Sequence, residues 1–186
     1  MIDVQALDGL RVLDLATFLA GPFAATQLGE FGAEVIKIEP PSVEGKGGGD
    51  PLRSWRKLHN GSSLWWYVQN RNKKSVTVNL RDAQGQAVVR RLVRDADIVI
   101  ENFRPGTMEK WGLGYDDLSR DNPGLVMLRL SGFGQSGPQR EQAGFGSIGE
   151  SMGGLRYVTG FPDRPPVRPN LSIGDAIASL HGVIGA

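Results

Sequence analysis

Short apolar runs separated by stretches of helical periodicity occupy the first two thirds of the chain. "RVLDLA" (residues 11–16), "EVIKIEP" (34–40), "DIVIENF" (97–103) and "GLVMLRLSGFG" (124–134) read as buried strands, because runs this short and this rich in Val, Ile and Leu suit a sheet covered on both faces. "SVTVNL" (75–80) alternates strictly, which predicts a strand with one face less buried, at a sheet edge. Between the strands, "GPFAATQLGEFG" (21–32) predicts a helix with Pro22 in its first turn. In "DAQGQAVVRRLVRDA" (82–96), Val89, Leu92, Val93 and Ala96 stand at i, i+3, i+4 and i+7, an amphipathic helix laid on the sheet. Parallel strands need crossovers and helices supply them, so the alternation predicts one doubly wound, Rossmann-like α/β domain. "PGTMEKWG" and "YDDLSRDN" add short helical pieces, and long Gly/Pro-rich loops cover 41–63 and 132–146.

Composition narrows the function more than the fold. The balance of 21 Lys and Arg against 20 Asp and Glu lacks the one-sided basicity of a nucleic-acid binder, so anion binding would have to come from local sites. There is no cysteine, which removes disulfides, thiolate nucleophiles and thiolate metal sites. The two histidines, His59 and His181, share no ligand spacing with each other and read as structural. No metal site is expected. The N-terminus carries no signal-like segment, and no run reaches the ~18 apolar residues of a membrane span; a cytoplasmic protein without membrane contact is the expectation.

Three stretches carry candidate chemistry. The strand–turn–helix–strand unit ending in Glu39 has the outline of a dinucleotide site but lacks G-x-G-x-x-G, and Gly29 and Gly32 read instead as close helix–sheet packing. "ENFRPGTMEKWG" follows a strand at its carboxyl end, where open α/β sheets hold ligands; Asn102 offers an amide, Phe103 a flat face, and Arg104 and Lys110 positive charge, a set suited to a phosphorylated nucleotide, or simply a surface loop. "NRNKKS" (70–75) reads as a phosphate-attracting or merely solvated turn, and Trp65 and Trp66 as packing. Finally, "NLSIGDAIASLHGVIGA" (170–186) sets Asp175 alone at the head of an apolar helix. Ser172-x-x-Asp175 has capping-box spacing, and the helix dipole would hold the acid ionised. The same carboxylate would serve as a nucleophile toward an activated acyl group, and spacing alone does not choose.

Taken together, "LDGLRVLDLATFLAGPFAATQLGEFGAEVIKIEPP", "GDPLRSW", "NRNKKSVTVNL", "DADIVIENFRPGTMEKWGLGYDDL", "SGFGQSGP" and "LSIGDAIA" resemble, in order, the class III CoA-transferases (the CaiB/BaiF family of formyl-CoA and carnitine CoA-transferases). The resemblance implies that Asp175 attacks an acyl-CoA thioester, passing through an aspartyl anhydride and an aspartyl-CoA thioester. It places the CoA site at Asn102, Phe103, Arg104, Lys110, Ala20, Val78 and Arg81, with CoA or acyl-CoA as substrate, a carboxylic acid as second partner, and no permanently bound cofactor. Leu19 and Pro40 stand where formyl-CoA transferase has a glutamine and an arginine, which argues against formate or oxalate. Phe145 stands where the family's racemases carry a histidine base, so racemisation is the alternative, followed by a CoA-binding module without activity. "RYVTGFPDRPPVRPNLSIGD" resembles a branch that handles dicarboxylates, with Arg164 and Arg168 as candidate partners. Since family members are longer, residues 1–186 are expected to be the CoA-binding part of the large domain. The second domain, the glycine-rich active-site loop and an interlocked homodimer would belong to the longer chain, and the isolated piece is expected to turn over slowly or not at all.

Overall fold

A computed structural model describes residues 4–43 and 47–186, so part of the predicted 41–63 loop lies outside the described residues. Five parallel strands form the sheet: β1 (Arg11–Asp14), β2 (Glu34–Glu39), β5 (Lys73–Thr77), β6 (Ile98–Glu101) and β7 (Val126–Arg129), in the order β5-β2-β1-β6-β7. A two-residue hairpin, β3 (Leu58–His59) and β4 (Ser62–Ser63), stands apart. The order runs outward from β1 to β5 and then returns to start again at β6, which is the doubly wound arrangement predicted. β5 lies at the edge, as its alternation indicated, but two residues earlier than expected.

Side chains alternate across β1 and β6, giving two cores. Val12, Ile98 and Ile100 pack beneath α1 (Ala20–Glu30) through Ala24, Ala25 and Leu28, with Val183 of α7 (Ile173–Gly185) packed against them. On the opposite face Leu13, Leu15 and Val99 meet Val89 and Val93 of α3 (Ala83–Val93), Met108 of α4 (Thr107–Lys110) and Leu118 of α5 (Tyr115–Asp121). A Cβ on Gly21 would overlap Ala16 Cβ, so a glycine is needed where α1 starts against the end of β1. Gly29 sits close over Val35, the helix–sheet packing expected of it. The remaining helices are α2 (Leu64–Gln69) and α6 (Gly146–Met152). No helix among the described residues is long and apolar enough to cross a membrane.

The sheet's interior is not wholly apolar. Asp14 and Lys37, in register on β1 and β2, are both buried, and Lys37 Nζ lies 3.6 Å from Asp14 Oδ1 and 3.1 Å from Asp50 Oδ2. Lys73 Nζ reaches Asp14 Oδ2 at 2.9 Å, and burial pushes its proton affinity down despite that acid. This corrects the reading of "NRNKKS": Lys73 is a buried ion-pair member, while Arg71 and Lys74 pair with Glu30 and Glu34. None of the three is a free phosphate ligand.

Beside this network Glu39 accepts a two-pronged hydrogen bond from Arg53, another from Ser75 Oγ, and a third from the Asp50 backbone N–H. Burial raises its proton affinity, but these donors outweigh burial and hold the carboxyl down at about 2, against an ordinary 4.5. Because the folded value is depressed, its contribution is complete above the ordinary range and is lost as pH falls toward the folded value. Glu39→Gln is therefore expected to cost about 2–3 kcal/mol near neutrality and progressively less on acidification. Thermal denaturation against pH tests this, and two curves that stay parallel down to about pH 3 would contradict it.

Candidate active site

The sheet order reverses between β1 and β6, and the two loops leaving their carboxyl ends are bound together there. Asn102 Oδ1 accepts from Thr17 N–H at 2.8 Å and Asn102 Nδ2 donates to Thr17 O at 2.7 Å. The amide predicted to meet a ligand thus also clamps the β1–α1 loop. The next residue in that loop, Phe18, adopts φ 62°. This left-handed conformation costs a bulky residue ~1–3 kcal/mol and gathers at functional sites. Asp50 Oδ1 holds it by accepting Phe18 N–H at 3.1 Å, which connects the loop to the buried Lys37–Asp14 network.

The other candidates spread along the same carboxyl edge. Phe103 packs edge-on against Trp111, with ring centroids 5.2 Å apart, and is only half-buried. Arg104 and Lys110 are exposed at either end of the turn carrying α4. Arg81 is exposed in the loop beyond β5, a strand that lies three spacings or roughly 14 Å from β6. Val78 is 8% exposed, with its side chain in the core and its N–H bonded to Glu39 O, so a ligand could meet little more than its carbonyl. Trp65 packs at 61° against Trp55, and Trp66 carries the Arg53 guanidinium 3.7 Å over its ring, the packing roles expected.

Asp175 occupies the first turn of α7, the helix packed on α1. Ser179 Oγ, one turn on, lies 2.5 and 2.6 Å from the carbonyls of Ala20 and Asp175 and has one proton to share between them, tying the α7 first turn to the start of α1 and the clamped loop. The capping-box reading is not realised, since Ser172 makes no side-chain cap hydrogen bond. Burial, followed by the nearby Glu150 carboxylate, raises the Asp175 proton affinity, while Arg168 pulls it down. No hydrogen bond among the described residues contributes. A Cβ on Gly146 would lie 2.8 Å from Asp175 Oδ2, so glycine at the start of α6 makes room for the carboxylate.

Sequence reasoning missed two groups of residues. Asp14, Lys37 and Asp50 were hidden inside or beside apolar strands, although a lone acid in "RVLDLA" and a lone base in "EVIKIEP" were the available signal. Gly146, Glu150 and Arg156 lie in a stretch without a recognisable motif, and nothing in their spacing ties them to Asp175.

A doubly wound α/β domain with a clamped switch-point loop and a half-buried carboxylate beside it, unbonded among the described residues, is therefore the class of protein defined here. The family model described as CoA-transferase family III matches residues 7–186, and the chain belongs to that family. It is 59% identical to the succinyl-CoA–D-citramalate CoA-transferase of Chloroflexus aurantiacus over 183 residues, 98% of this chain and 44% of that protein. It is 52% identical to the succinyl-CoA–L-malate CoA-transferase alpha subunit of Chloroflexus aurantiacus, over 96% of this chain and 41% of that one. A crystal structure of a CaiB/BaiF family protein from Brucella suis superposes with a TM-score of 0.91 at 40% identity, covering 98% of this chain and 48% of the other. The chain thus spans less than half the length of these relatives.

Proposed function

We propose that this chain carries the nucleophile and the CoA-binding edge of a CoA-transferase, which moves CoA from an acyl-CoA donor to a carboxylic acid. The observation carrying the proposal is the isolation of Asp175: a half-buried carboxylate raised in proton affinity, bonded to no donor among the described residues, with glycine beside it. A carboxylate partly stripped of water attacks a carbonyl carbon more readily than one fully solvated. An Asp175 oxygen adds to the thioester carbonyl, the C–S bond breaks, and CoA leaves as thiolate with an acyl-aspartyl anhydride behind it. The thiolate then attacks the Asp175 carbonyl carbon, releasing the donor acid and leaving an aspartyl-CoA thioester. An acceptor carboxylate repeats the two steps in reverse, and Asp175 is regenerated without net proton uptake.

Arg104, Lys110 and Arg81 would meet the CoA phosphates, with Phe103, Ala20 and the Val78 carbonyl along the same edge; their alignment at the strands' carboxyl ends supports this. Asn102 acts through Thr17 in that scheme. The names of the Chloroflexus aurantiacus relatives support a dicarboxylic donor and acceptor, and an alpha-subunit relative supports an assembly of more than one chain, for which a homodimer is the simplest form. Phe145, exposed at 75% next to Gly146, presents no proton-accepting atom, which speaks against the racemase alternative.

Intact-mass spectrometry of protein purified from its native source, mixed with acyl-CoAs, tests the reading: a CoA adduct on Asp175 that hydroxylamine removes is expected. Absence of an adduct with every acyl-CoA tried would refute it. The charge environment adds a second measurement. Reaction needs ionised Asp175, so the rate should fall on the acid side at a pH above the ordinary Asp range. Glu150→Gln removes a repelling charge while keeping an oxygen for the Gly174 N–H, and should move that acid limb to lower pH. An unmoved limb would show that Glu150 does not tune the nucleophile.

A further inference from the structure

Helix α6 and the loop that leads into α7 bring two arginines to one buried acid next to Asp175. Glu150 is 4% exposed; its Oε1 accepts Gly174 N–H at 3.3 Å, and its Oε2 lies 3.5 Å from Arg156 Nη2 and 3.9 Å from Arg168 Nε. Neither pair closes a hydrogen bond, and both Glu150 Oε2 and Arg156 Nε are left without a partner among the described residues. Every other ion-paired arginine among the described residues also donates a hydrogen bond to its carboxylate partner. Arg156 and Arg168 are held by charge alone. The Arg168 side chain is 41% exposed, and its planar fork of donors makes no hydrogen bond among the described residues.

The chemistry beside it says which acceptor that fork suits. Arg168 acts on Asp175 as well as on Glu150. Anhydride formation passes the Asp175 charge to the departing thiolate, and thioester formation passes it to the departing acid, so the total is conserved while the Asp175 side chain itself becomes neutral. Arg168 then faces Glu150 alone, at 3.9 Å and without a hydrogen bond. A carboxylate at the far end of an acyl group supplies a charged acceptor for its donors, whereas a methyl group cannot.

We propose that Arg168, backed by Arg156, binds the remote carboxylate of a dicarboxylic acyl group and is the element that separates dicarboxylic from monocarboxylic substrates. The inference rests on the CoA-transferase reading of Asp175. Arg164, the other sequence candidate, stacks 5.2 Å over the Phe161 ring and takes no part.

The test is isotope exchange in the purified protein: labelled succinate into succinyl-CoA, and labelled butyrate into butyryl-CoA, where a methyl replaces the remote carboxylate. The protein should strongly favour succinate. Arg168→Met should lower the succinate-to-butyrate ratio about 10- to 100-fold, as expected for loss of a charged hydrogen-bonded pair. Arg168→Lys should recover part of that ratio, and Arg164→Met should leave it alone. A purely structural Arg168 would reduce both exchanges together and leave the ratio unchanged, which overturns the proposal, as does an unmodified protein that exchanges butyrate as fast as succinate. In either case an Asp175 adduct would still uphold the transferase reading. No exchange with either acid, and no adduct, would remove both.

Discussion

Asp175→Asn is expected to lose acyl exchange by at least about three orders of magnitude and to form no covalent adduct, because a neutral amide cannot displace a thiolate to give an anhydride. The substitution is nearly isosteric, so it leaves the room made by Gly146 intact. It should not harm the fold. The folded state raises the Asp175 proton affinity, which means that its ionised form is disfavoured there, and a permanently neutral side chain removes the repulsion from Glu150. Thermal stability near neutrality should therefore be unchanged or slightly higher. A folded Asp175→Asn protein that still exchanges acyl groups would require another nucleophile. Asp175→Glu separates charge from position: it keeps a carboxylate but pushes it toward Gly146, and a misplacement of about 1 Å is expected to cost about 100-fold.

The second large effect is on the fold. Lys37→Met should destabilise the protein by about 3–5 kcal/mol, since removing one partner of a buried ion cluster leaves the others uncompensated. At this chain length that corresponds to a drop in melting temperature of about 10 °C. Asp14 would keep Lys73 at 2.9 Å, whereas Asp50 Oδ2 already lacks a hydrogen-bond partner among the described residues and would lose its only close cation there. Asp50 also holds Phe18 at φ 62°, so the damage should reach the loop that packs by the α7 first turn. Lys37→Met combined with Asp50→Asn should recover part of the lost stability, because the orphaned charge is gone. Calorimetry of the two proteins checks this, and a shift within about 2 °C for Lys37→Met would show that the network is replaceable.

Much of the architecture was legible from local pattern. Apart from the buried Asp14 and Lys37, residues 12–15, 35–38 and 98–100 are apolar on both faces because each strand has a helical layer on either side, and burial of that kind writes itself into consecutive residues. The alternation of residues 75–80 marked the edge strand for the opposite reason, although β5 starts at Lys73, where the side chain of a buried lysine looks like a solvated charge in the sequence. The capping box at Ser172 failed in a similar way: spacing permits the hydrogen bond, but the helix entry geometry does not form it.

What the sequence by itself determined, then, is the order of strands and helices, the two-sided burial of the sheet, and the singling out of Asp175 in an otherwise uncharged helix. Period and composition are properties of neighbouring residues, and they suffice for these. Only the tertiary structure decided that Asn102 clamps Thr17, that Asp14 and Lys37 face each other across adjacent strands, and that Gly146, Glu150 and Arg168 surround Asp175. These are encounters between residues up to 85 positions apart; electrostatic and packing energies depend on distance in space, which no local pattern records.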